Sequence, residues 1–167
     1  MSSSAASGSG VLRLGSGRAW TVPGYTEVRP LGGGGFGEVV LAVHDATGTP
    51  VAIKYLKDKL LGDPGFVALF HAEATALGGL DDPHVVRLYE YVEEAPAGAA
   101  IVMEVIDGVS LAAILKNQGK TTPEAALTVL YGSLLGLAAA HARGAVHRDY
   151  KPDNVLVNRH GVSKLTD

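Results

Sequence analysis

Gly32-Gly33-Gly34-Gly35-Phe36-Gly37-Glu38-Val39-Val40-Leu41-Ala42-Val43 is the stretch that decides the architecture of this chain. It holds a G-x-G-x-x-G spacing at Gly32, Gly34 and Gly37. Glycines let backbone N–H groups approach phosphate oxygens with no Cβ in the way. Taken alone, the glycine run is equally consistent with a plain flexible turn. The residues after it are more informative. A dinucleotide-binding fold requires a helix directly after these glycines. Here the continuation from Glu38 to Val43 is β-branched and strand-like. The glycines therefore cap a β-hairpin, and phosphate binding through a helix dipole is disfavoured.

Working outward, residues 1–19 are rich in Ser, Gly and Ala and are expected to form a disordered leader, with order beginning near Trp20 and Tyr25. Strand-like runs at 26–31, 38–43 and 51–56, with turn residues such as Asp45-Ala46-Thr47-Gly48 between them, predict an antiparallel meander. A helix should come next, with Asp63 as N-cap and Pro64 in its first position. Phe66, Phe70, Leu77 and Leu80 recur at helical spacing, and Gly78-Gly79 weaken the end. Two more strands are expected at 85–92 and 99–105. A short helix should start after Ser110 and a long one at Thr122, with Pro123 and Glu124 in its first turn. Its apolar positions Leu127, Leu130, Leu134 and Ala138 lead to Ala142, and Gly144 stops it. The end of the chain reads as a hairpin, 155–157 and 162–166, around Asn158-Arg159-His160-Gly161. Strands, then helices, then a hairpin predict an α+β fold, a small β lobe joined to a helical lobe.

Composition narrows the function classes. Hydrophobic residues make up 47% and charged residues 19%, enough apolar material for a core. A net charge of -3 argues against a general nucleic-acid binder. The absence of cysteine excludes disulfides and thiolate metal sites and suits a reducing cytoplasm. No apolar run is expected to be long enough to span a bilayer, which takes about 20 residues. The first residues lack the pattern of a signal peptide. The expectation is a cytoplasmic chain with no membrane segment.

Two charged residues stand where apolar ones would be usual. Lys54 ends the run Val51-Ala52-Ile53-Lys54, where period two places it on one face with Ala52. Most strand lysines face solvent, but a small apolar neighbour suits a face that covers a flat ligand. Glu73 lies inside the apolar stripe of the expected helix, between Phe70 and Leu77. A carboxylate facing the core needs a cation, because burying an unpaired charge is very costly. Lys54 is the obvious partner; a helix rotated so that Glu73 lies at the wet edge of the stripe is the alternative.

His147-Arg148-Asp149-Tyr150-Lys151-Pro152-Asp153-Asn154 concentrates ionisable side chains and an amide between the long helix and the final hairpin. If the hairpin turn centres on His160-Gly161, Val155 pairs with Thr166 and Leu156 with Leu165. Asn154 and Asp167 then lie side by side. An amide oxygen beside a carboxylate is a pair of hard ligands suited to Mg²⁺ shared with phosphates.

Together these residues resemble the protein kinase family, from about residue 25 to 167. The glycine loop with Val39, the Val-Ala-Ile-Lys strand, the helix glutamate, the His-Arg-Asp loop with its asparagine and the closing Leu-Thr-Asp come in family order and at family spacing. Lys151-Pro152 after Asp149 is similar to Ser/Thr kinases, and the wording of the loop looks most like bacterial eukaryotic-type (Hanks-type) kinases. The resemblance implies a protein-kinase-like fold: N-lobe and hinge over 20–106, and a partial C-lobe over 107–167. It implies ATP and Mg²⁺ as cofactors and a Ser/Thr protein as substrate. ATP would be contacted by Leu31, Gly32, Gly33, Gly34, Gly35, Phe36 and Gly37 of the loop, and by Lys54 held by Glu73. Adenine would lie between Val39 and Ala52 above and Leu156 below. Met103 would be the gatekeeper, and Glu104 and Ile106 would offer backbone bonds. Asp149 would orient the substrate hydroxyl, Lys151 would steady the γ-phosphate, and Asn154 and Asp167 would bind the metal. Leu77, Leu88 and His147 match three members of the stacked spine of active kinases.

The phenylalanine expected after Asp167, the activation loop and the later helices of the family are not in the sequence. Their absence sets two expectations. The apolar far face of the long helix should be exposed in this chain, and this chain by itself should transfer little phosphate to protein. A full-length protein could be membrane-anchored through a missing C-terminal region. The competing readings are a catalytically inactive nucleotide- or partner-binding kinase fragment and, more weakly, a small-molecule phosphotransferase.

Overall fold

The computed structural model describes residues 18–166. Most of the expected leader and the candidate metal ligand Asp167 lie outside the described residues.

Five strands form one antiparallel sheet: β1 (Tyr25–Gly33), β2 (Gly37–His44), β3 (Pro50–Leu56), β4 (Leu88–Glu94) and β5 (Gly98–Glu104), in the order β1-β2-β3-β5-β4. The meander expected of the first three is present, and β1 and β2 meet across the glycine-rich turn. β3 is the central strand, and both its faces are covered. Val51, Ile53 and Tyr55 pack with Val22, Val40, Ala42, Ala100 and Val102 on one side. Leu56 packs with Phe70, Ala74, Ala99 and Ile101 on the other. The two-residue period of a strand therefore sends Lys54, which alternates with Tyr55, to the same side as Leu56.

That second side is closed by helix α2 (Pro64–Leu77), whose N-cap is Asp63: its carboxylate accepts from the Gly65 N–H at 2.8 Å, and Pro64 needs no donor partner in the first turn. A four-residue helix, α1 (Asp58–Leu61), precedes it and was not expected, because one turn is too short to show a period. Its Leu60 and Leu61 pack against the second core.

The strand expected at 85–92 is displaced to Leu88–Glu94. Val85 and Val86 are buried, but their backbone partners lie elsewhere: Val86 N–H donates to Leu165 O and Leu165 N–H to His84 O, both at 2.8 Å. Burial made the segment look like a strand, while its partner belongs to the other lobe.

The second lobe holds a small sheet, β6 (Gly108–Ser110), β7 (Val155–Asn158) and β8 (Ser163–Leu165), with helices α3 (Leu111–Gln118) and α4 (Pro123–Ala142). Both helices start where capping chemistry places them. Ser110 Oγ accepts from Ala113 N–H at 3.1 Å and Thr122 Oγ1 from Ala125 N–H at 3.2 Å. α4 buries its small residues, Gly132, Ser133, Gly136 and Ala140, against the segment at His84 and β8. A Cβ on Gly136 would sit 2.5 Å from His84 O, so glycine is required for this approach. Leu127, Leu130, Tyr131 and Leu134 are exposed, as expected of the far face. By length and composition alone α4 could cross a bilayer, contrary to the expectation that no run was long enough. In this fold its small residues pack on His84 and β8.

The final hairpin differs from its expected register by one residue. Val155 pairs with Leu165, Leu156 with Lys164 and Val157 with Ser163. The loop takes three residues, with Gly161 at φ 77°, and Asn158 Oδ1 accepts from His160 N–H at 2.9 Å and Val162 N–H at 3.0 Å. An Asx turn closed by a left-handed glycine makes the odd-numbered loop stable, and a two-residue turn was the wrong choice. Thr166 N–H donates to Asn154 O at 3.1 Å, and the expected pairing of Asn154 with Asp167 lies outside the described residues.

Candidate active site

Lys54 is buried, and Glu73 reaches it: Nζ and Oε1 are 3.1 Å apart. The Glu73 side chain is 32% exposed, so it stands at the edge of the apolar stripe yet still faces the cation. Both alternatives read from the sequence are thus partly met. The strand supplies the lysine, the helix supplies the glutamate, and the second core aligns the two elements.

Across the cleft lies the loop from His147 to Asn154. Lys151 Nζ donates to Asp149 Oδ2 at 2.7 Å, and Asn154 Nδ2 donates to Asp149 O at 3.0 Å and to Oδ2 at 3.1 Å. The Lys151 ammonium, more than any other group, holds the Asp149 carboxyl below the usual carboxylate range; the Asn154 amide and the His147 charge act in the same direction. Asn154 is buried in a 3-10 turn (Pro152–Asn154), and committing its NH₂ to Asp149 leaves Oδ1 as an oxygen donor. That is the donor type Mg²⁺ takes. Among the described residues no group of three or more His, Cys, Asp or Glu gathers at metal-binding distance.

The loop is itself strained. Arg148 has φ 58°, a left-handed conformation that costs a non-glycine residue about 1 kcal/mol or more. Beside it, His147 Nε2 lies 3.2 Å from Thr166 O, and among the described residues its buried Nδ1 has no partner. Together these contacts hold the backbone between His147 and Asp149 in an unusual turn that presents the Asp149 carboxylate to the cleft.

A cavity of about 580 Å³ joins the two halves: Lys54 and Glu73 line one side, Asp149 and Thr166 another. Leu77, Leu88, Met103 and His147 line it too, so the three expected spine residues and the expected gatekeeper share one space. Val39, Ala52, Glu104, Ile106 and Leu156, the residues expected to surround adenine, do not line it. Val39 is paired with Gly32 and Lys54. Ala52 is paired with Leu41 and Met103, and Leu156 with Ser110 and Lys164. Glu104 N–H is taken by Arg87 O at 2.9 Å, so any bond from this residue to a base falls to its carbonyl. Ile106 is half-buried and accepts from Gly108 N–H at 3.0 Å.

The glycine-rich turn is exposed from Leu31 to Phe36. Gly34 N–H closes it on Gly37 O at 2.9 Å. A Cβ on Gly37 would lie 2.7 Å from Tyr55 O, whereas Gly34 and Gly35 have nothing within 4 Å. One glycine is therefore required by packing, and Gly32, Gly34 and Gly35 face open space. Two residues that sequence reasoning missed shape this site. Lys57 N–H donates to Phe36 O at 3.1 Å and Lys57 Nζ to Gly34 O at 2.5 Å, tying the turn to the end of β3. Lys164 Nζ bonds Glu104 Oε1 at 2.6 Å and links β8 to the hinge. Neither lysine belongs to a motif, and only the fold brings them to their partners.

Comparisons with known proteins agree with this geometry. The family model described as protein kinase domain matches residues 25–167. The Serine/threonine-protein kinase PkaB of Streptomyces coelicolor is 43% identical over 137 residues, 82% of this chain and 32% of that protein. The Serine/threonine-protein kinase PknA of Mycobacterium tuberculosis is 37% identical over 147 residues, 86% of this chain and 34% of that protein. Among solved structures, the PknI kinase domain of Mycobacterium tuberculosis matches with a TM-score of 0.74 at 27% identity, covering 89% of this chain and 60% of that one. The chain thus spans about a third of the length of these curated relatives. A β sheet crossed by a lysine–glutamate pair, a strained His-Arg-Asp loop beneath it and a family match over most of the sequence lead to one conclusion: the chain belongs to the protein kinase family.

Proposed function

We propose that the protein is a Ser/Thr protein kinase that transfers the γ-phosphoryl group of ATP to a Ser or Thr hydroxyl of a protein. The supporting observation is that Lys54 with Glu73, and Asp149, which Lys151 and Asn154 hold, open onto one cavity although distant in sequence. Lys54, oriented by Glu73, contacts the α- and β-phosphates, and the N–H groups of the glycine turn cover them. Asp149 orients the acceptor hydroxyl and takes its proton late. A weakly basic carboxylate suits a loose transition state, in which positioning matters more than base strength. Lys151 carries positive charge toward the transferred group. Mg²⁺ held by Asn154 and Asp167 would supply neutralisation of charge on the phosphates. Adenine stacks between Val39, Ala52 and Leu156, with Glu104 and Ile106 offering backbone bonds. Lys151-Pro152 favours Ser/Thr over Tyr acceptors, and use of ATP places this part of the protein in the cytoplasm.

The test is radiolabel transfer from γ-labelled ATP to a Ser/Thr-rich protein, using the protein at its natural length. Transfer that falls about 10²- to 10⁴-fold in Asp149→Asn supports the reading. Mg-ATP binding with no transfer would favour a nucleotide-binding module instead, and transfer only to small amines or alcohols would favour a small-molecule phosphotransferase.

A further inference from the structure

Before β1 the chain crosses the sheet face that points away from the cleft. The Arg18 side chain is 9% exposed, and its guanidinium lies 3.8 Å from the centre of the Tyr55 ring. Nη1 is 3.0 Å from Glu27 Oε1 on β1, and Nη2 is 2.7 Å from Glu38 Oε2 on β2. Two residues on, Trp20 packs edge-on against Tyr55 and donates from Nε1 to Glu94 at 2.8 Å. Val22 is buried, and its N–H donates to the Tyr55 hydroxyl at 3.1 Å.

Glu38 directly follows Gly37, faces Gly33 across β1–β2 and faces Tyr55 across β2–β3. A single guanidinium therefore grips both strands that carry the glycine turn, and it does so from a ring on β3, the strand of Lys54. A planar fork can hold two carboxylates in fixed directions, which an ammonium cannot. Surface ion pairs usually contribute little. Here the cation is covered and stacked on an aromatic face, so losing it would leave Glu27 facing a buried gap.

We propose that the segment from Arg18 to Val22 is a strap that positions the phosphate-covering turn, with Arg18 as its positioning residue. The strap acts from the back of the sheet and touches no nucleotide. The proposal rests on the nucleotide-binding reading only for its consequence; the strap itself can be read without a ligand.

The test is amide hydrogen exchange on the nucleotide-free protein at its natural length, followed by Mg-ATP affinity. In Arg18→Ala, amides of the turn and of the adjoining ends of β1 and β2 should exchange about tenfold faster, while those of α2, β4 and β5 keep their rates. Glu38→Gln, which changes a 61% exposed side chain and puts folding at little risk, should give part of the same local effect. Arg18→Lys should recover less than half of it, because an ammonium lacks the fork. Mg-ATP should bind severalfold more weakly in Arg18→Ala. Unchanged exchange at the turn in both Arg18→Ala and Glu38→Gln would overturn the proposal, and so would faster exchange spread evenly over the whole sheet. If wild type binds no nucleotide, the function proposed above falls, while exchange at the turn still decides the strap.

Discussion

Lys54 carries a charge at a buried position, and the partner 3.1 Å away makes this tolerable. Removing Glu73 would take a carboxylate away from a buried ammonium, which is costly, whereas replacing Lys54 by an isosteric apolar chain would remove the buried charge itself. Lys54→Met is therefore expected to keep its melting temperature within a few degrees of wild type while phosphoryl transfer falls by about 100-fold or more, as expected for loss of one preorganised charge contact. Circular dichroism with the radiolabel assay checks both halves. At Asp149 the outcome is the same for a different reason. Its carboxylate is exposed, and the amide oxygen left by Asp149→Asn can still accept from Lys151 and Asn154, so the substitution should cost activity with little stability. Lys57 was invisible before the fold was known, although it ties the tip of the glycine turn. The run Val51-Ala52-Ile53-Lys54 could point to Lys54, because charge in an apolar alternation is itself a signal; a lysine at a strand end, such as Lys57, is ordinary.

At the scale of elements, caps and glycines carry the most information. Asp63, Ser110 and Thr122 each hold the first turn of a helix where the sequence places it. Thr122→Ala should lower stability by about 1 kcal/mol, measured by urea denaturation. α4 offers a sharper case. Gly136→Ala would gain about 1 kcal/mol of helix propensity. The new methyl would also meet a backbone oxygen at 2.5 Å, and backbone yields less readily than a side chain. Overpacking of this kind costs about 1–3 kcal/mol, so net destabilisation is expected, with the urea midpoint falling. An increase in the midpoint would mean that α4 does not approach His84 this closely. The β7–β8 hairpin was misread by one residue because its turn is set by the Asn158 side chain and the positive φ of Gly161, which hydrophobic alternation does not encode.

For the whole molecule, the two lobes meet through few backbone links, among them Val86 to Leu165 and Leu165 to His84. A ligand that bridges them should therefore stabilise the protein by mass action. At about 100 times its dissociation constant, Mg-ATP should add about 2.7 kcal/mol. Thermal unfolding checks this, and Lys54→Met should show a much smaller shift. The exposed row Leu127, Leu130, Tyr131 and Leu134 is a contiguous apolar strip on α4. Leu127→Gln with Tyr131→Lys should reduce light scattering of this chain on concentration without changing its circular dichroism.

By itself the sequence determined the order and type of nearly every long element, the hairpin nature of the glycine turn and the identity of the charged residues around the cleft. Those features are written locally, in strand alternation, helix caps and polar residues set among apolar ones. Only the tertiary structure decided which partner each of them meets: Val86 with β8 instead of the upper sheet, Glu104 with Lys164, Arg18 with Glu27 and Glu38. The physical reason is range. A cap or a period is settled within a few residues, but a salt bridge between distant segments exists only after the apolar cores have fixed the backbones that carry its two ends.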